Sequence, residues 1–365
     1  MSPIPPKKQL AGIRRIAHAE NSREGFVPLD RNERTEDFPP EAIEEIRALV
    51  TPFLLRSYPE PEPLYRELAR WLGVSRDQLL LAWGADGGLR AIFDTYVEQG
   101  DEVVHAVPSY GMNPVYCAIA GAVERPVPFR ADLSLPLEDI LKAVNPRTKL
   151  VLLANPNQPI ERLYTQAELE RLLAACSKNG ALLVLDEAYH HFCPETGLPL
   201  LASHDNLILA RTFSKAFGLA GLRLGYLVSQ APNIANLEKV RPMYEAHAFA
   251  IAAARYLLKN DRLMKEYVGQ VNESRKLLLE ALNKAGIQAG GRWGNSVLAE
   301  LPASLPAAEI AAAFKKKNLL VRAETTPPLS NHLRITLGSP AQTQQFIVCF
   351  EEALQSGETP ARGRL

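Results

Sequence analysis

The chain has 365 residues, 47% hydrophobic and 22% charged, which is ordinary globular usage and roughly two to three domains' worth of length with a large core. A wholly disordered chain and a coiled coil are thereby excluded. Lys plus Arg and Asp plus Glu both total 41, so the net charge is zero and no global attraction to nucleic acid or an anionic membrane is expected.

The first ten residues carry three prolines and two lysines and read as a loose arm. The region before about residue 45 has no core pattern of its own and is expected to pack on a second, smaller domain. From about 79 to 230, short apolar runs at 79–83, 102–107, 149–154, 181–186, 207–211 and 223–228 read as strands buried on both faces of a mostly parallel sheet. Between them, 87–97 is predicted to be helical. A second helix is predicted over 165–180, where Thr165 and Glu168 form a capping box, Leu169, Leu172 and Leu173 an apolar stripe, and Gly180 the stop. Beyond 230 come long helices at 246–259 and 263–285, a strand at 297–301, a helix at 307–316 with solvated lysines at its end, and strands near 319–322 and 333–337. The last ten residues are expected to fray. The pattern predicts an α/β fold with a smaller α+β domain. Its expected division is 1–45 (arm and part of the small domain), 46–245 (large domain) and 246–365 (small domain).

No apolar run approaches the ~18 residues that span a bilayer. The opening MSPIPPKKQL has no apolar core of a secretory signal. Cys117, Cys176, Cys193 and Cys349 lie far apart without a CxxC, which argues against a disulfide framework or a structural zinc. His190 and His191 have no third ligand in view, so no metal is expected. A cytoplasmic protein with reduced thiols, without nucleic-acid or membrane partners, is the expectation.

Chemistry concentrates at the ends of the buried runs. In RTFSKAFGLAGLRLG (211–225), Lys215 directly follows a strand, where desolvation and neighbouring cations lower an amine's pKa and free it to attack an aldehyde. Ser214 and Arg223 in the same stretch suit an anionic phosphate. ALLVLDEAY (181–189) places Asp186 at a strand's C-terminal end, where open α/β sheets bind ligands. An acid there keeps a pyridine nitrogen protonated and the ring an electron sink, with Tyr189 three residues on. WGADGGL (83–89) joins a strand to a helix and reads equally as a tight turn or as backbone N–H groups cradling phosphate. Tyr110 in VPSYG and the NPNQP segment (155–159) follow other strands, and Arg334 in LRITLG lies twelve residues after Arg322. Taken singly, each segment also reads as an ordinary turn, strand end or exposed side chain.

In this order and spacing, the segments resemble the class I/II, fold-type I aminotransferases that depend on pyridoxal 5′-phosphate, most closely the histidinol-phosphate aminotransferase branch, from about Leu29 to Gly338. The resemblance implies that Lys215 is the Schiff-base lysine and proton shuttle. Asp186 would pair with the pyridinium nitrogen, Tyr189 would bond the ring oxygen, and Tyr110 would stack on the ring. The phosphate would be held by the Ala85 and Asp86 N–H groups, Thr212, Ser214 and Arg223. Tyr58 would reach the phosphate of a neighbouring subunit, which implies a homodimer with shared sites. Arg334 would bind the acidic group of the amino substrate, with Arg322 as a second anion contact and Asn32 bordering the substrate. An amino acid or amino-alcohol phosphate would donate to a 2-oxo acid, with 2-oxoglutarate and glutamate as the second pair.

Three segments depart from the pattern. The usual PNNPTG reads PNQPIE (156–161), which puts Gln158 where an Asn bonds the ring oxygen, and Ile160-Glu161 in place of Thr-Gly. Asp86-Gly87 stands for Asp-Glu, and Asn32-Glu33-Arg34-Thr35 for Asn-Glu-Asn-Pro. The alternative on the same scaffold is a decarboxylase of an amino acid phosphate. A nicotinamide dehydrogenase would want GxGxxG after the first strand, which neither GADGGL nor GLAGLRLG supplies. A cofactor-binding sensor would want a basic helix-turn-helix region, and none appears.

Overall fold

The computed structural model describes residues 4, 7–13, 23–324 and 327–355, so the predicted fraying of the last ten residues lies outside it. Its strands are β1 (Val27–Leu29), β2 (Leu79–Ala82), β3 (Glu102–Val107), β4 (Val123–Pro128), β5 (Thr148–Ala154), β6 (Leu182–Asp186), β7 (Leu207–Thr212), β8 (Gly225–Ser229), β9 (Gln288–Gly290), β10 (Ser296–Glu300), β11 (Leu319–Glu324) and β12 (His332–Thr336). A seven-stranded sheet runs β2-β8-β7-β6-β5-β3-β4, and a five-stranded sheet runs β1-β11-β12-β10-β9. In the larger sheet β4, β3, β5, β6 and β7 are parallel, while β8 pairs antiparallel with both β7 and β2. In the smaller sheet β1 pairs in parallel with β11, and the remaining pairs are antiparallel.

Side chains leave a strand on alternate faces, and the buried runs obey this. Val151, Leu153, Leu183, Leu185, Leu207 and Leu209 pack into one apolar cluster. Leu150, Leu152, Val184, Ile208 and Ala210 pack into another, with Ala85, Leu89 and Ile92 of the helix Gly84–Tyr96. Both faces of the central strands are therefore dry, which is why their sequences are apolar without alternation.

The helix Gln166–Lys178 carries the predicted capping box. Glu168 N–H donates to Thr165 Oγ1 at 3.3 Å and Thr165 N–H to Glu168 Oε2 at 2.8 Å. The helices Ala248–Lys259, Arg262–Lys284 and Ala307–Lys316 match their predicted spans within two residues. Three strands escaped the sequence reading, among them the three-residue β9. β4 has the sequence VERPVP, and its two prolines are tolerated because it is an edge strand. β1 is three residues long with a central proline, too short for a periodic signal.

One difference bears on the site. The helix predicted to begin near 87 begins at Gly84, so Ala85 and Asp86 lie in its first turn, where backbone N–H groups have no acceptor within the helix. Gly225 allows this: a Cβ there would lie 2.4 Å from the Gly84 carbonyl carbon and 2.6 Å from the Ala85 nitrogen. The strand β8 thus passes directly beneath the helix start.

Candidate active site

The C-terminal ends of β6 and β7 and the start of the helix Gly84–Tyr96 bring the predicted groups to one edge of the larger sheet. Asp186 ends β6, opposite Ala154 of β5 and Ala210 of β7. Its Oδ1 accepts from the Ala188 N–H at 3.0 Å. Burial pushes its pKa up to about 6, opposed by that hydrogen bond and by the positive charge of Lys215. Lys215 follows β7; its Nζ donates to the Arg31 carbonyl at 3.2 Å and lies 5.3 Å from the centroid of the Tyr189 ring. Lys215, Asp186 and Tyr189 therefore share one crevice.

Thr212, Ser214 and Arg223 gather beside the helix start. Thr212 Oγ1 donates to Ser214 Oγ at 2.9 Å, and Arg223 Nη1 donates to Ser214 Oγ at 3.4 Å. Arg223 takes a left-handed backbone (φ +50°), and a Cβ on Gly84 would lie 2.9 Å from its Nη2. Its hydrogen-bond partners here are neutral, Ser214 Oγ and the Ala220 carbonyl, and among the described residues it makes no ion pair. A cation without a carboxylate beside free helix N–H groups fits a phosphate. A buried carboxylate facing an amine fits a protonated ring nitrogen. The residues thus suit a phosphorylated pyridine aldehyde.

Asp86 sits in the same first turn. Its Oδ1 accepts from Tyr110 Oη at 2.8 Å and also from Tyr116 Oη. Tyr110 stays 40% exposed, so its ring lines the crevice while its hydroxyl is held. Desolvation and the Asp86 charge raise the pKa of both phenols.

The predicted substrate groups come from the small sheet and the chain before it. Arg322 and Arg334 are register partners across β11 and β12. Arg322 Nε lies 3.1 Å and Arg334 Nε 3.7 Å from the same Glu324 oxygen. Arg334 Nη2 donates to the Asp30 carbonyl at 3.0 Å, while its buried Nε has no hydrogen-bond partner among the described residues. Asn32, also in a left-handed conformation (φ +54°), exchanges hydrogen bonds with Thr336, and its Nδ2 donates to Tyr189 Oη at 3.3 Å. Tyr58 lies apart from all of these. It is 76% exposed and stacks on Tyr244 with centroids 4.5 Å apart.

Gln158 turns toward the segment before β10. Its Nε2 donates to Glu161 Oε1 at 3.2 Å and to the Trp293 carbonyl at 3.4 Å, so its amide protons are engaged away from the Tyr189 ring. Three partners in this region escaped sequence reasoning: Arg275, Trp293 and Ser296. Arg275 was findable, because it falls on the stripe Val271, Leu278, Leu282 that the helix Arg262–Lys284 buries. Burial pushes the Glu161 pKa up to about 7, while Arg275 and the surrounding donors pull it back.

The described residues contain no helix long and apolar enough to cross a membrane. A family model described as aminotransferase class I and II matches residues 24–349. The histidinol-phosphate aminotransferase of Thermoanaerobacter sp. (strain X514) is 32% identical over 331 residues, 89% of this chain and 92% of that protein. Histidinol-phosphate aminotransferase 2 of Pasteurella multocida (strain Pm70) is 31% identical over 335 residues, 90% of each chain. The crystal structure of histidinol-phosphate aminotransferase from Sinorhizobium meliloti in complex with pyridoxal-5′-phosphate superposes with a TM-score of 0.81 at 28% identity, covering 91% of this chain and 92% of that one. These relatives are named for transamination, and they give the decarboxylase alternative no support. Sequence, fold and the crevice at the end of β6 and β7 agree, and the chain belongs to the class I and II aminotransferase family.

Proposed function

We propose that this aminotransferase takes its amino group from histidinol phosphate or an amine of that class and delivers it to a 2-oxo acid such as 2-oxoglutarate, with pyridoxal 5′-phosphate as its resident cofactor. The observation that carries this reading is the meeting of Lys215, Asp186 and Tyr189 in one crevice beside the cluster of Ser214, Arg223 and the first turn of the helix Gly84–Tyr96. The histidinol-phosphate names of the relatives support the donor class.

When bound, the cofactor supplies an electron sink for the bond broken at the substrate's Cα. The chain supplies the rest. Lys215 Nζ would hold the cofactor's aldehyde and would move the proton at the substrate's Cα. Asp186 would keep the ring nitrogen protonated, its negative charge attracting that proton. Tyr189 would bond the ring oxygen and Tyr110 would stack on the ring. Thr212, Ser214, Arg223 and the N–H groups of Ala85 and Asp86 hold the phosphate. Arg334 receives the substrate's acidic group, with Arg322 as a second contact and Asn32 at the border of the pocket.

The reading extends to assembly and place. Phe53, Leu55, Tyr58 and Met243 are large apolar side chains, each more than half exposed. Surface of this kind suits a partner subunit, and a homodimer in which Tyr58 reaches the neighbour's phosphate uses it. The division at residues 45 and 245 into arm, large domain and small domain, and a cytoplasmic compartment, belong to the same proposal.

A panel of amino donors added to the cofactor-loaded protein tests it. Histidinol phosphate is expected to abolish the visible band of the bound cofactor, and 2-oxoglutarate to restore it. A flat response to every donor with the cofactor bound would overturn transamination. A response to other amines alone would overturn the donor.

A further inference from the structure

Beside the groups assigned above lies a buried carboxylate that none of those roles uses. Glu161 is a non-glycine residue in a left-handed conformation (φ +58°), and its side chain is 1% exposed. Five donors converge on it. Oε1 accepts from Gln158 Nε2 at 3.2 Å, from the Ser296 N–H at 3.2 Å and from Ser296 Oγ at 3.0 Å. Oε2 accepts from the Trp293 N–H at 2.9 Å and pairs with Arg275 Nη1 at 3.4 Å. The donors belong to the loop after β5, the segment entering β10, and the helix Arg262–Lys284. Arg275 ties the last two together by donating to the carbonyls of Ser296 and Gly294. Only a glycine lets the chain pass: a Cβ at Gly294 would lie 2.3 Å from Gln158 Nε2 and 2.8 Å from Glu161 Oε1.

We propose that Glu161 is a positioning residue that fastens the loop after β5 to the small sheet and, through the amides of Gln158 and Asn32, orients the hydroxyl of Tyr189. An amide has one face that donates and one that accepts. Gln158 Nε2 lies against two acceptors, Glu161 Oε1 and the Trp293 carbonyl; turning the amide over would set oxygen against oxygen at both. Its Oε1 therefore faces the other way, where it accepts from Asn32 Nδ2 at 3.4 Å and lies 3.2 Å from Ser296 Oγ, whose single proton it shares with Glu161 Oε1. Asn32 is fixed in turn, because its Oδ1 already accepts from Thr336 Oγ1 at 3.0 Å. Its Nδ2 is left to donate to Tyr189 Oη at 3.3 Å. Tyr189 Oη is thus an acceptor on that side, and its own proton is free to be given toward the crevice. The Tyr189 part rests on the proposed function; the fastening does not.

Glu161→Gln tests both parts, since it keeps the volume and replaces one acceptor oxygen with a donor. In the cofactor-loaded protein, backbone hydrogen exchange over 291–296 is expected to quicken about tenfold, while β3 amides stay as in the parent; two charge-assisted hydrogen bonds to backbone N–H groups are worth at least that. The pH midpoint of the bound cofactor's visible band is expected to move by roughly half a unit, because the bond presented by Tyr189 is no longer fixed. Ser296→Ala, which leaves the backbone donors in place, is expected to move both readouts the same way but less, and stands in if Glu161→Gln does not fold. Unchanged exchange in these variants would overturn the fastening. Quickened exchange with an unmoved midpoint would overturn the positioning of Tyr189. Failure of the parent protein to take up the cofactor would instead overturn the proposed function, leaving the exchange result to decide the fastening alone.

Discussion

Asp186 and Glu187 are neighbours at the end of β6, and their surroundings are opposite. Glu187 is completely buried and completely matched. Arg211 reaches it through Nε at 2.9 Å and Nη2 at 2.7 Å, Thr196 Oγ1 donates to it at 3.0 Å, and the Gly197 N–H at 2.6 Å. Asp186, leaving the strand on the other face, has one backbone hydrogen bond and a more distant amine. Breaking a matched buried pair leaves an uncompensated charge and damages the fold. A desolvated carboxylate without its pair is a strained group whose missing partner is a ligand. The two faces of one strand end thus separate a matched buried charge from an unmatched one, the latter being the group the proposed function uses.

Removing the amine that the unmatched side serves gives the largest effect. Lys215→Ala is expected to lower turnover roughly 10³- to 10⁴-fold, with borohydride no longer fixing the cofactor to the chain and the denaturation midpoint nearly unchanged. A protein that keeps its turnover would erase the contrast.

Next comes the matched side. Arg211→Ala is expected to cost about 3–5 kcal/mol of stability, read by chemical denaturation, because Glu187 is left charged and buried. A loss under about 1 kcal/mol would mean the pair is not what fastens this corner.

Asp186→Asn sharpens the comparison by having both signs. Turnover should fall about 10²-fold or more, since an amide does not hold the ring nitrogen protonated. The cofactor-free protein should gain stability at pH 7, by roughly 1–3 kcal/mol. The sign follows from a folded pKa raised to about 6: the penalty of burying the charge is absent below the ordinary carboxylate pKa and complete above the raised one. Denaturation of parent and variant should therefore coincide near about pH 4 and diverge up to about pH 6.

The smallest effect belongs to Glu102, a matched acid at the opposite end of the sheet. Hydrogen bonds from Arg125 and Asn145 hold its pKa down to about 2, with Arg147 adding a second ion pair at 2.8 Å. A lowered acid pKa gives stability that is present above the ordinary value and lost as pH falls through the lowered one. Glu102→Gln should be slightly less stable than the parent at pH 7 and equal to it near about pH 2, with turnover unaffected.

How much was legible follows from the physics of each signal. The central strands were readable because burial on both faces forbids polar residues, and the capping box of Gln166–Lys178 because both halves are local. The placement of Lys215, Asp186 and Arg223 at strand ends was readable because they punctuate such runs. The edge strand β4 was not, since an edge tolerates prolines that a central strand rejects. The start of the helix at Gly84 was missed because Gly225, more than a hundred residues on, creates the space for it. The Glu161 network was hidden because its five donors come from segments up to 135 residues away.

By itself the sequence determined the α/β order of elements, the apolar strands and the residues that end them, since these depend on local periodicity and on the desolvation cost of polar groups. Tertiary structure alone decided which charges meet a partner. Asp186 and Glu187 look alike in the chain, and only the face each takes, toward Lys215 or toward Arg211, leaves one without an ion pair and ties the other to a buried guanidinium.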